Sequence, residues 1–264
     1  MDSTMIAKSD SSFAAEYAPL VDKIRALSPD RYDNAVFRHP MSFYRDRIDL
    51  IGAAGFARVL DAGHGFGQWS ISLAEKNGHV TGIDHNKPRC DISLVLKEHY
   101  GVENFDVVCE GLDKLDERFN PESFDMIWCW GVIMFTNRRK VMKSFNRLLA
   151  PNGRLFLGAV NSPARWAFKY VKGWKDGIKA PNFYKSCMTG IRGSNNENGI
   201  NAFGFTSARR IGEIYGFRLD EIGYDGEIDI SGNKKVLRFE KTPLKIFQNI
   251  ELTYTKTSPA SAEA

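Results

Sequence analysis

The sequence predicts an α/β protein built on a doubly wound, mostly parallel sheet, and three observations predict it. From residue 57 onward, short apolar runs alternate with helix-length segments, the pattern of strand and crossover helix. The first run, Arg58-Val59-Leu60-Asp61-Ala62, passes into three alternating glycines, Gly63, Gly65 and Gly67, and then into a helix. The second run, His79 to Ile83, ends in Asp84, 21 residues after Gly63.

Taken in order, residues 1–12 read as a disordered lead, and Phe13 to Leu27 as a short helix stopped near Ser28-Pro29. The stretch Arg31 to Pro40 is aromatic and irregular, and Phe43 to Gly52 is a second helix with Tyr44, Ile48 and Ile51 on one face. Strands are expected at 59–62, 80–83, 105–110, 124–130 and 155–160, with helices over 68–77, 87–100 and 138–149 between them. Pro151-Asn152-Gly153 is a turn in which asparagine accepts a positive φ. A helix runs from Phe205 to Tyr215 and stops at Gly216, two strands follow at 218–222 and 235–239, and the tail Thr255 to Ala264 is expected to be disordered.

Glycines belong at a strand-to-helix turn where the backbone comes close to a ligand, because a Cβ blocks both the dihedrals and the approach. The following helix directs its first amides at the same spot. A purely structural tight turn is the plainer alternative. A dinucleotide fingerprint requires Gly-x-Gly-x-x-Gly, but Gln68 holds the last of those positions and Gly67 makes the pattern Gly-x-Gly-x-Gly. A carboxylate about 20 residues on lies at the neighbouring strand tip and accepts hydrogen bonds from ribose hydroxyls, the role expected of Asp84.

These residues resemble the class I, Rossmann-like S-adenosylmethionine-dependent methyltransferases, whose signature is an acidic residue, Gly-x-Gly-x-Gly, and an acidic residue closing the second strand. The resemblance covers residues 56–240 and implies a seven-stranded sheet closed by a C-terminal antiparallel hairpin, here 218–222 with 235–239. It implies S-adenosylmethionine as cofactor. Asp61, Ala62, Gly63, Gly65 and Gly67 would face its methionine end, Asp84 its ribose, with His85 beside the sugar or base. Gly111 and Leu112, after the third strand, fall near the adenine, although the family's acid there is displaced to Asp113. Cys129 and Trp130, ending the fourth strand, fall near the amine and the acceptor. Leu148 to Leu155 resembles the family's Leu-x-Pro-Gly-Gly turn. Residues 1–55 are then an N-terminal helical lid, from which Tyr44 and Arg45 reach the methionine carboxylate, or two helices that only cover a sheet edge. Residues 56–264 are the cofactor-binding domain, with 161–205 inserted as an acceptor cap.

Composition narrows the rest. At 264 residues, 43% apolar and 26% charged, the chain builds one sizeable core. A net charge of +4 is well short of a dedicated nucleic-acid binder. Cys90, Cys109, Cys129 and Cys187 lack paired spacing and read as reduced core residues of a cytoplasmic protein. The histidines at 39, 64, 79, 85 and 99 form no metal-ligand pattern, no run is long enough for a membrane span, and no signal peptide is evident. His39 and His64 are the histidines nearest the expected site, and neither is assigned as catalytic base. The segment 161–205 carries seven Lys/Arg residues against Asp176 and Glu197, with eight aromatic rings. It reads as a pocket for an acidic or aromatic small-molecule acceptor, methylated at oxygen or nitrogen, or as an amphipathic helix with a solvated basic face. RNA or protein methylation, non-catalytic cofactor binding and, more remotely, a dehydrogenase are the alternatives; the sequence leaves the oligomeric state open.

Overall fold

The computed structural model describes residues 17–27, 36, 38–160, 162, 204–239 and 249–257. Its centre is a seven-stranded sheet in the order β3-β2-β1-β4-β5-β7-β6. The strands are β1 (Arg58–Ala62), β2 (His79–Ile83), β3 (Phe105–Val108), β4 (Phe124–Trp130), β5 (Leu149–Val160), β6 (Phe217–Tyr224) and β7 (Ile250–Lys256). Strands β1 to β5 pair in parallel, while β7 runs antiparallel to both β5 and β6. The strand order reverses between β1 and β4, which places a ligand crevice outside the carboxyl tips of those two strands.

Two apolar cores cover the sheet faces. On one face α1 (Val21–Leu27), α2 (Met41–Ile51), α3 (Gln68–Ala74) and α4 (Lys87–His99) pack over Val59, Val80, Phe105, Trp128 and Phe156. On the other, α5 (Leu115–Arg118), α6 (Arg138–Leu148) and α7 (Phe205–Ile214) pack over Leu60, Ile127, Leu155 and Leu252. Local chemistry sets the helix ends: the Asn86 side chain accepts the Arg89 N–H at 3.1 Å and starts α4, and Asn137 does the same for α6 through Lys140 at 3.2 Å. Asn152 adopts φ +60° inside β5, at the irregularity that shifts its register on β4 between Leu149 and Arg154, where a turn ahead of the strand was expected.

Three expectations are corrected. The partner of β6 is β7, not residues 235–239, which make isolated bonds to the 225–226 turn instead of a ladder. Strand β7 is hard to recognise because Glu251 and Thr253 are buried on its other face, so both of its faces are buried. The ordered chain consequently includes Thr255 and Lys256 within β7. Cys109 is exposed just past β3, whereas Cys90 and Cys129 are buried as expected; Cys187 lies outside the described residues, as do residues 1–16 and nearly all of 161–205. No helix among the described residues is long and apolar enough to cross a membrane.

Candidate functional site

The glycine turn carries three left-handed residues, each for a separate reason. Gly63 has φ +87°, and a Cβ there would lie 2.3 Å from Val132 Cγ2. Gly67, at φ +94°, lets α3 approach α4, since a Cβ would lie 2.8 Å from the Ser93 Cβ. Gly65, at φ +57°, faces open space, with nothing within 4 Å of an added Cβ. The first and third are packing glycines, and the middle one leaves the cradle's surface bare.

Two buried carboxylates flank this turn. Asp84, at the tip of β2, accepts the Gly65 N–H at 3.1 Å on Oδ2 and the Asn86 N–H at 2.9 Å on Oδ1. Each oxygen so engaged keeps a second lone-pair direction. Asp61, on β1, accepts the Ser70 hydroxyl at 2.7 Å on Oδ2, while its Oδ1 is buried without a hydrogen-bond partner. Burial pushes the Asp61 carboxyl up to about 7, against the pull of the Ser70 hydroxyl and with a further push from Asp84. A buried acid with an unsatisfied oxygen is an unfavourable arrangement that a cationic or hydrogen-bond-donating ligand relieves.

The other predicted residues divide clearly. Ala62 is buried in the second core beneath the turn. His85 is 78% exposed beside Asp84, its Nδ1 3.6 Å from Oδ1. Gly111 and Leu112 are half-buried at the start of a single 3-10 turn after β3. Cys129 belongs to the second core, where burial pushes its thiol up to about 12, so its side chain lies on the face opposite Trp130. Arg45 is a correction. Its guanidinium forms a two-bonded fork with Glu75, at 2.7 Å each, just past the carboxyl end of α3. That is the far end of the helix from the glycine turn, so Arg45 does not reach the crevice. Tyr44 is buried and packs edge-on against Trp69, with ring centres 4.8 Å apart.

Histidines 39 and 64 fall on opposite sides. His64 packs edge-on to Phe105, and burial lowers it to about 4 despite the opposing pull of Asp84. His39 stacks on Phe43 at 4.1 Å and bonds the Phe239 carbonyl through Nε2 at 3.0 Å; burial lowers its pKa. Sequence reasoning missed an aromatic group on the β4 side of the turn. Trp69, in the first turn of α3, lies 4.7 Å from Trp130 at the tip of β4, and Phe239 lies 5.4 Å from Trp130. Trp69 stood beside the glycines and was the available signal; nothing local to Phe239 announces its place. No cluster of potential metal ligands occurs among the described residues.

A family model described as "Methyltransferase domain" matches residues 59–153, the span from β1 into β5. A ubiquinone biosynthesis O-methyltransferase of Idiomarina loihiensis is 28% identical over 127 residues, 47% of each chain. The protein of that name from Xanthomonas euvesicatoria is 28% identical over 181 residues, 65% of this chain and 72% of the relative. The chain thus spans about half the length of several of the curated relatives it matches. Among solved structures, the magnesium protoporphyrin IX methyltransferase of Synechocystis PCC 6803 with bound SAH superposes with a TM-score of 0.54 at 16% identity, covering 94% of this chain and all of the other. That likeness concerns the fold.

Proposed function

We propose that the chain is a class I S-adenosylmethionine-dependent methyltransferase, the reading that the family model over residues 59–153 and the curated relatives support, and that it transfers the methyl group of this cofactor to an oxygen of a small-molecule acceptor. The residues fit the cofactor. Asp61 has a buried unsatisfied oxygen, Asp84 has acceptor capacity left on both oxygens, and Gly65 presents bare backbone between them. The observation that carries the reading is this pair of buried carboxylates on either side of a glycine cradle at the switch point of the sheet.

S-adenosylmethionine supplies an electrophilic methyl carried on a sulfonium. Asp84 would bind the ribose hydroxyls, and Gly111 and Leu112 would line the adenine. Asp61 acts within the turn, either directly on the ammonium of the methionine end or by holding the backbone around Gly63. Residues 1–55 would form the lid, and 161–205 the acceptor cap. In-line transfer depends chiefly on holding the nucleophile and the methyl collinear in a dry site, so the chain's contribution is mainly orientation and exclusion of water. Trp69 and Trp130 provide that apolar wall beside the turn. The relatives' name, O-methyltransferase, favours oxygen over nitrogen as the acceptor atom.

The test is transfer of a labelled methyl from S-adenosylmethionine to a panel of phenols, catechols, carboxylates and amines. Label recovered as an aryl ether or an ester supports the reading. Label in amines only, or in RNA or protein, contradicts it. Tight binding of the cofactor without transfer to any panel member would identify a non-catalytic binder.

A further inference from the structure

A buried ionic cluster lies behind the aromatic wall. Arg47 of α2 and Glu251 of β7 are fully buried and joined through Arg47 Nη2 and Glu251 Oε1, and Asp225, just past β6, is also buried. Removing such charges from water is costly, and the gain from pairing them seldom exceeds that cost. What the cluster accomplishes is geometric. Glu251 Oε1 also accepts the Gly226 N–H at 3.0 Å, and Asp225 Oδ2 accepts the Phe239 N–H at 2.8 Å. The Asp225 N–H donates to the Asn249 carbonyl at 2.9 Å, and the Leu237 N–H to the Gly226 carbonyl at 3.0 Å. Gly226 has φ +79°, and an added Cβ would lie 2.3 Å from the Leu237 oxygen. The segment 225–239 is therefore closed at its neck and tied to α2 and β7 by buried groups.

The neck delivers Phe239. Its half-buried ring lies 5.4 Å from Trp130, 6.4 Å from Trp69 and 5.8 Å from Phe43, with the Arg38 guanidinium 5.5 Å over it. Its carbonyl accepts from His39 Nε2, which leaves Nδ1 as the unprotonated nitrogen of a neutral ring. On the sheet below, the Trp130 ring crosses Gly158, where a Cβ would lie 2.1 Å from it, and Glu251 stands on the next strand opposite the bulge beyond Leu157. One ring thus continues the tryptophan wall away from the glycine cradle, where an acceptor would have to sit.

We propose that Phe239 is the specificity-determining wall of the acceptor pocket, selecting a planar aromatic acceptor, and that Arg47, Glu251 and Asp225 are positioning residues that act through it. The inference rests on the methyltransferase reading above. Stacked and edge-on aromatic contacts supply the recognition.

The experiment uses the full chain saturated with S-adenosylhomocysteine and 4-nitrocatechol as the probe, its binding followed by absorbance. Phe239→Ala is expected to raise the probe Kd about three- to tenfold, the scale of an aromatic contact, and to leave the S-adenosylhomocysteine Kd unchanged. Glu251→Ala is expected to do the same although it touches no ligand. Glu251→Gln keeps an acceptor oxygen for Arg47 and Gly226, so it is expected to restore the probe Kd to within about twofold of wild type. The proposal is overturned if wild type shows no saturable probe binding, if Phe239→Ala binds the probe like wild type, or if Glu251→Gln is as impaired as the alanine variant. Loss of S-adenosylhomocysteine binding in wild type overturns the cofactor reading and this proposal with it.

Discussion

The two sides of the glycine turn are built by different means. On the β2–β3 side, the groups that would hold the cofactor are backbone amides and carboxylates at consecutive strand tips. Asp84 is fixed by Gly65 and Asn86, 19 and 2 residues away. On the β4–β5–β7 side the wall is made of rings brought together over long sequence distances: His39 meets Phe239 across 200 residues, and Arg47 meets Glu251 across 204. The first side is local and polar, suited to an invariant ligand. The second depends on tertiary closure.

Substitutions sharpen that contrast. The largest effect is expected on the turn itself: Gly63→Val combines a disfavoured dihedral with a clash against Val132, and should lower stability by about 2–5 kcal/mol in a denaturant titration. Gly65→Ala meets no atom and should cost only about 1 kcal/mol of stability. Equal losses at the two positions would remove the distinction between a packing glycine and a cradle glycine.

Asp61→Asn comes next, and its effect depends on pH. The folded carboxyl titrates near 7, above its unfolded value, so the folded protein holds the extra proton between about pH 4 and 7. Stability from this group is therefore present below the unfolded pKa and is lost as pH rises through 7. The variant should match wild type near pH 4 and exceed it by about 1–4 kcal/mol at pH 8, measured without cofactor. A constant offset across that range would contradict a buried, proton-holding Asp61.

The smallest effect is expected at Arg45→Ala, which breaks a partly exposed fork with Glu75 and should cost about 0–1 kcal/mol, with S-adenosylhomocysteine affinity unchanged in calorimetry. A large affinity loss would restore Arg45 to the site.

The same contrast explains what the sequence disclosed. The glycine turn, Asp84 and the parallel strands were legible because each is specified within a few dozen residues, by strand periodicity and a carboxylate at a strand tip. Arg45 was misplaced because residue type suited a carboxylate ligand, while the face of α2 and the position of Glu75 decided where it points. Strand β7 was missed because buried Glu251 and Thr253 break the apolar run of Ile250, Leu252 and Tyr254, and residues 235–239 took its place because Val236 and Leu237 mimic a strand. Phe239 has no local signature at all, since its position is set by Asp225 and by the closure of 225–239 on Gly226.

The central claim is that one side of the turn holds the cofactor and the other faces the acceptor. Calorimetric titration of S-adenosylhomocysteine into wild type, Asp84→Ala and Phe239→Ala tests it most directly. Asp84→Ala should weaken binding by about 1–3 kcal/mol, the cost of losing a charged hydrogen-bond acceptor, and Phe239→Ala should bind as wild type does. Unchanged affinity in Asp84→Ala, or an equal loss in both variants, would contradict the account.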